Sequence, residues 1–207
     1  NAPLAGIIFA IEELGRGLHL QWQRRVLLGV LAAGFILVAI KGNNPYFPRY
    51  SGSYEAALGW IVLCGLVCGV AGGIFARLLA KGLAGYIPAR LRAPLHRHPL
   101  IVAFILGLLL AALGTYSHGQ TYGTGYQTVA DALHDIPPAP AGTGVAKLMA
   151  TVATYWTGIA GGIFTPALST GAGIGSGLWL LSDGSIEQGL LALLCTAAFL
   201  AAATQSP

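Results

Sequence analysis

Long uncharged runs alternate along the chain with short clusters that hold its charges. Residues 26–40, 56–76, 99–114, 148–182 and 188–207 contain no Asp, Glu, Lys or Arg. Several approach or exceed the roughly 20 apolar residues that a bilayer-spanning helix needs. Lipid offers the backbone no hydrogen bonds, so a spanning segment is a helix or part of a closed barrel. Barrel strands alternate apolar and polar positions; these runs are unbroken, and they predict helices.

The pattern predicts a short helix over residues 4–14 and longer ones over 25–40, 56–86, 99–116, 146–156, 164–181 and 187–203, with a helical turn near 127–134. The first is only about 16 Å long at 1.5 Å per residue, too short to cross a 30 Å core alone. Glycine and proline interrupt the run around residues 158–166, which reads as a broken helix. In a membrane, non-helical backbone is tolerated where it is buried in protein or lines a cavity. The expected fold is therefore all-α: a polytopic membrane protein with tilted and discontinuous helices. Residues 1–207 read as a single partial domain, cut at both ends, because no initiator methionine opens it and no tail follows the last apolar run.

Composition supports this class over a soluble one. Charged residues make up 9% of the chain and hydrophobic ones 55%, with a mean hydropathy of +0.70. A soluble domain carries charge on about a quarter of its residues, so these few cannot clothe a water-facing surface. Thirty glycines suit close-packed membrane helices. The net charge of +4 does not indicate nucleic acid, because the basic residues fall in short loops between apolar segments. Arg16, Arg24 and Arg25, and then Arg77, Lys81, Arg90, Arg92 and Arg97, mark two loops as cytoplasmic by the positive-inside rule. Residues 42–55 and 115–144 read as outside. Cys64, Cys68 and Cys195 give no disulfide framework; the first two share a helix face and read as packing residues. Lys147, Trp60, Trp156 and Trp179 read as interfacial anchors or packing. No metal site is expected, and His96-Arg97-His98 reads as a solvated basic loop.

Two motifs carry candidate chemistry. Gly161-Gly162-Ile163-Phe164-Thr165-Pro166 stands at the start of an apolar helix. Glycines permit an unusual turn, and proline in a first helical turn loses no helical hydrogen bond. A helix starting near Phe164 would direct the amides of Ile163 and Phe164, with the positive end of the helix dipole, at an anion. Partial charges bind an ion and still let it leave. On local sequence alone the motif reads equally as a hinge between two spans. The second motif is Glu12-Glu13, closing the short apolar helix. Carboxylates at a membrane boundary often serve proton relays. The two point about 100° apart on a helix; Glu13 is favoured for proton transfer, whereas Glu12 reads as a headgroup-level carboxylate beside Arg16.

Asn1-Ala2-Pro3-Leu4-Ala5-Gly6-Ile7-Ile8-Phe9-Ala10-Ile11-Glu12-Glu13, followed about 150 residues later by the Gly161–Pro166 motif and a glycine-rich helix, closely resembles the CLC chloride channel and transporter family. Tyr122-Gly123-Thr124-Gly125-Tyr126 resembles a family loop as well. The resemblance implies part of the CLC inverted-repeat fold and chloride transport, with proton antiport as the first expectation and a passive channel or a fluoride-type exchanger as alternatives. It places backbone donors for the anion at Ile163 and Phe164, the turn at Gly162 and the helix start at Pro166. Glu13 becomes the intracellular-side proton glutamate, with Glu12 its neighbour. It further implies no cofactor, chloride and protons as cargo, a lipid surround in the bacterial inner membrane, and a homodimer formed through the first two helices. Trp156-Thr157-Gly158-Ile159-Ala160 replaces a serine-rich stretch of many relatives, which leaves the ion preference open. The rival from another class is an intramembrane hydrolase using Ser176; it lacks a following histidine and a full Gly-x-Ser-x-Gly.

Overall fold

The structure, a computed structural model, describes residues 20–53, 58–134, 136, 140–159 and 161–205. Glu12, Glu13 and the short opening helix lie outside the described residues, as does Glu55. Among the described residues every regular element is helical: α1 (Leu20–Lys41), α2 (Leu58–Lys81), α3 (Ala89–Arg97), α4 (Pro99–Tyr116), α5 (Tyr126–Leu133), α6 (Thr143–Trp156), α7 (Phe164–Trp179) and α8 (Gln188–Thr204), with a 3-10 turn at Leu83–Gly85. The chain divides into two compact units, Asn1–Arg49 and Tyr50–Pro207. Of the first, α1 and the segment after it are described. Gly42, at φ 75°, closes α1 and donates to the Val38 carbonyl.

Within the second unit, α2 and α4 are long and apolar enough to cross a membrane. Only 22% and 11% of their most apolar windows are buried. Leu66, Val70, Leu100 and Phe104 point outward, where the core helix of a soluble protein would be covered. A helix this apolar and this exposed matches a lipid-facing span.

The buried seam runs between α2 and α8. Cys64, Cys68 and Phe75 meet Cys195 and Phe199, all at most 1% exposed, and the two phenyl rings sit 5.6 Å apart. The cysteines act as small apolar fillers here. Glycine brings α7 against both neighbours. A Cβ on Gly171 would lie 2.6 Å from Thr196 Cα, and one on Gly175 2.6 Å from Ala192 Cα. A Cβ on Gly173 would lie 2.7 Å from Gly144 Cα, so these two glycines face each other between α6 and α7. Without side chains between them, backbones touch and dispersion replaces the missing hydrophobic drive.

The ends of this unit are distinct. At one edge the Tyr50 hydroxyl meets the Ser53 carbonyl at 2.6 Å and the Glu187 carboxylate, and the Ser53 amide donates to Glu187 at 3.2 Å. Gln188 Nε2 donates to the Ile136 carbonyl at 3.3 Å. Parts of the two loops read as outside thus share an edge. At the opposite end, Trp156 Nε1 donates to the Leu78 carbonyl at 3.0 Å, beside the run of basic residues from Arg77 to Arg97.

Three expectations are corrected. The helix expected over 56–86 ends at Lys81, because Gly82 takes φ 61° and breaks the repeat. The basic stretch expected to be loop contains α3, whose Pro88 start favours a helix opening there. The helix expected from residue 146 begins at Thr143, released by Gly142 at φ 91°. Lys147 consequently lies in the second turn rather than at the start.

Candidate functional site

α7 opens at Phe164, with Ile163 as its N-cap and no side-chain cap. The Ile163 side chain carries no oxygen to accept from the first amides, so it cannot cap the turn. Pro166 brings no N–H, and the first intrahelical bond runs from the Ala167 amide to the Ile163 carbonyl at 3.0 Å. Among the described residues, no carbonyl or side chain accepts from the Gly162, Ile163 or Thr165 amide. Phe164 has a partner of its own. The Ile163 and Thr165 amides thus stand open at this helix end. Nothing lies within 4 Å of a Cβ built on Gly161 or Gly162, so the turn faces space rather than a packed neighbour.

That space is a cavity of 640 Å³. Gly162, Ile163, Phe164, Thr165 and Pro166 line one end, and Thr121, Tyr122, Gly123 and Thr124 the other. Between them runs one face of α6, from Lys147 through Ala150, Thr151 and Thr154 to Tyr155; these fall at i, i+3, i+4, i+7 and i+8, a single helical stripe. The structure thus joins the two glycine motifs, almost forty residues apart in sequence, across one wall.

Lys147 is the one charged residue among those lining the cavity, and no carboxylate accompanies it. It is 2% exposed, and its Nζ donates to the carbonyls of Thr121 and Gly123, each at 2.8 Å. Two of its three protons are spent holding the loop. Its charge still raises the potential of the cavity without the ammonium acting as a tight ligand. Gly125, at φ 78°, lets the loop close down on α6 and α7: a Cβ there would lie 2.2 Å from Ser169 Oγ and 3.2 Å from Lys147 Cε. The Thr151 and Thr154 hydroxyls donate to the carbonyls of Lys147 and Ala150 at 2.8 and 2.9 Å. They turn only lone pairs outward, so these two hydroxyls add no donor to the wall.

The reading of Lys147 as an anchor or packing residue is corrected here: it is a buried loop clip. The available signal was its isolation, a lone ionisable side chain within an apolar run, which marks a functional position by default. Replacing Lys147 with Met leaves two carbonyls without a donor. Each hydrogen bond to a charged group contributes about 1.5–3 kcal/mol, so the complete protein should lose about 3 kcal/mol or more of stability. Hydrogen exchange should rise over residues 119–125, and Lys147→Arg should restore most of the protection. Unchanged exchange in Lys147→Met would refute the clip.

Comparison with known proteins bears on the same motifs. A family model described as voltage gated chloride channel matches residues 1–207. The chain belongs to this family. It is 32% identical to the voltage-gated ClC-type chloride channel ClcB of Citrobacter koseri, 31% identical to ClcB of Escherichia coli O81 and 30% identical to ClcB of Shigella flexneri. All of this chain and 50% of each relative are covered; the chain spans about half the length of the curated relatives it matches. No solved structure matches it significantly.

Family membership and exposed apolar helices make the chain part of a membrane protein with an all-helical CLC-type fold. The family is one of chloride channels rather than enzymes. Ser176 fits that assignment, since its Oγ is approached by Gln188 Nε2 at 3.4 Å. A carboxamide is no general base.

Proposed function

We propose that the complete CLC-type protein carries chloride across a bacterial inner membrane through the α6–α7 cavity. The carrying observation is the uncapped turn at Ile163 and Thr165, opening into a wall whose one charge is positive. An anion gains both oriented amides and the helix dipole there. No full cation ligates it, so exit remains possible. Gly162 shapes the turn, Phe164 adds an edge, and Pro166 holds the first turn in helical conformation. The resemblance adds proton antiport through Glu13, with Glu12 beside it, and a homodimer built on the first two helices with one pathway per subunit.

A passive channel is the second reading, favoured by the naming of the ClcB relatives as chloride channels. Proton coupling separates the two. With the complete protein in liposomes, a chloride gradient should drive protons in the wild type. Glu13→Gln should reduce proton movement at least tenfold while chloride flux stays within about threefold, a difference below about 1 kcal/mol. Chloride flux without proton movement in the wild type would establish the channel. Absence of chloride flux in any form would remove the proposal.

A further inference from the structure

The last turn of α6 has a cavity on each side. The second has a volume of 310 Å³ and lies between the 82–87 turn, α3, the start of α4 and the end of α6. Its wall is chiefly apolar, from Leu83, Ile87, Leu95, Val102 and Trp156, and it carries one cation, Arg92. Arg92 Nε donates to the Ile87 carbonyl at 3.1 Å, which fixes the guanidinium at the cavity. Among the described residues no acceptor takes its two terminal NH2 groups. Around it, Arg77, Lys81, Arg90 and Arg97 are exposed, and residues 56–130 contain no Asp or Glu. Lys81 Nζ sits 5.7 Å from the Tyr86 ring centre, and that ring lies 5.9 Å from Trp156. Directly beyond, Leu100 and Ile101 expose apolar side chains at 83% and 56%.

This cleft combines a forked cation, a basic belt in a stretch of chain, residues 56–130, that holds no Asp or Glu, and an apolar floor that continues onto a spanning helix. Guanidinium matches phosphate through two parallel hydrogen bonds, and basic pockets between spanning helices on the cytoplasmic side suit anionic headgroups. We propose that the cleft seats an anionic phospholipid, its phosphate on Arg92 and an acyl chain along Leu95, Val102 and Trp156. The inference rests on the membrane orientation read from the basic loops. Because Trp156 and Thr157 form this wall while Tyr155 and Ile159 line the anion cavity, the lipid braces the segment that presents the Ile163 amide.

Native mass spectrometry of the complete protein tests this with phosphatidylglycerol, phosphatidylcholine and free glycerol 3-phosphate as probes. Phosphatidylglycerol should be retained at least tenfold better than phosphatidylcholine. R92Q, at an exposed position, should fold normally and lose about tenfold in retention. V102W should fill the floor and do the same. Glycerol 3-phosphate should not displace the lipid. Equal retention by wild type and R92Q, equal retention of the two lipids, or displacement by glycerol 3-phosphate overturns the proposal. So does a crosslink placing another segment of the protein inside the cleft. Retention is read without transport, so a failure of the chloride reading leaves this result interpretable.

Discussion

Leucine at Gly175 should leave the complete protein unable to hold its fold. The Gly175 backbone lies against α8 so closely that even a Cβ meets Ala192 Cα at 2.6 Å and the Leu191 carbonyl at 2.6 Å. Backbone, unlike a flexible side chain, has no rotamer to yield. The helices must part, and the gap opens a seam in which Leu191 and Cys195 are both 0% exposed. Overpacking in ordinary cores costs about 1–3 kcal/mol; a backbone clash at the centre of a helix pair should reach or exceed the upper end. Gly69 is the matched control. A Cβ there meets nothing within 4 Å, so Gly69→Leu adds apolar surface toward lipid and should be nearly neutral. Size-exclusion profiles and thermal midpoints in detergent compare the two. Equal behaviour would mean that α7 and α8 do not pack through glycine.

The same contrast shows what can be read from a sequence of this kind. Hydropathy located the spans at α2 and α4 because lipid imposes a length and a composition that local residues must meet. The start of α7 was legible at Phe164, since paired glycines followed by a first-turn proline dictate where a helix can begin. α3 was not, because nine residues that include four Arg or His and an internal proline carry no apolar period long enough to see. The clip at Lys147 depends on a loop more than twenty residues upstream whose carbonyls converge on Nζ; no local pattern encodes that meeting. Likewise, thirty glycines predict close packing in general, whereas only coordinates distinguish Gly175, against a backbone, from Gly69, facing open space.

One wall of the α6–α7 cavity is built from these residues. Main-chain donors open onto it at the α7 turn, its hydroxyls at Thr151 and Thr154 are turned to helix carbonyls, and its ammonium donates to the carbonyls of Thr121 and Gly123. Substitutions at Thr151 and Thr154 therefore alter shape while leaving the main-chain donors in place. The donors of the α7 turn belong to peptide bonds, so only a change in the main chain removes one.

An ester in place of the Gly162–Ile163 peptide deletes the Ile163 N–H and changes little else. Chloride affinity of the complete protein, measured by calorimetry, should fall roughly 10- to 100-fold, as expected for a hydrogen bond to a charged partner at about 1.5–3 kcal/mol. Affinity equal to that of the all-amide protein would contradict an anion site at the α7 turn.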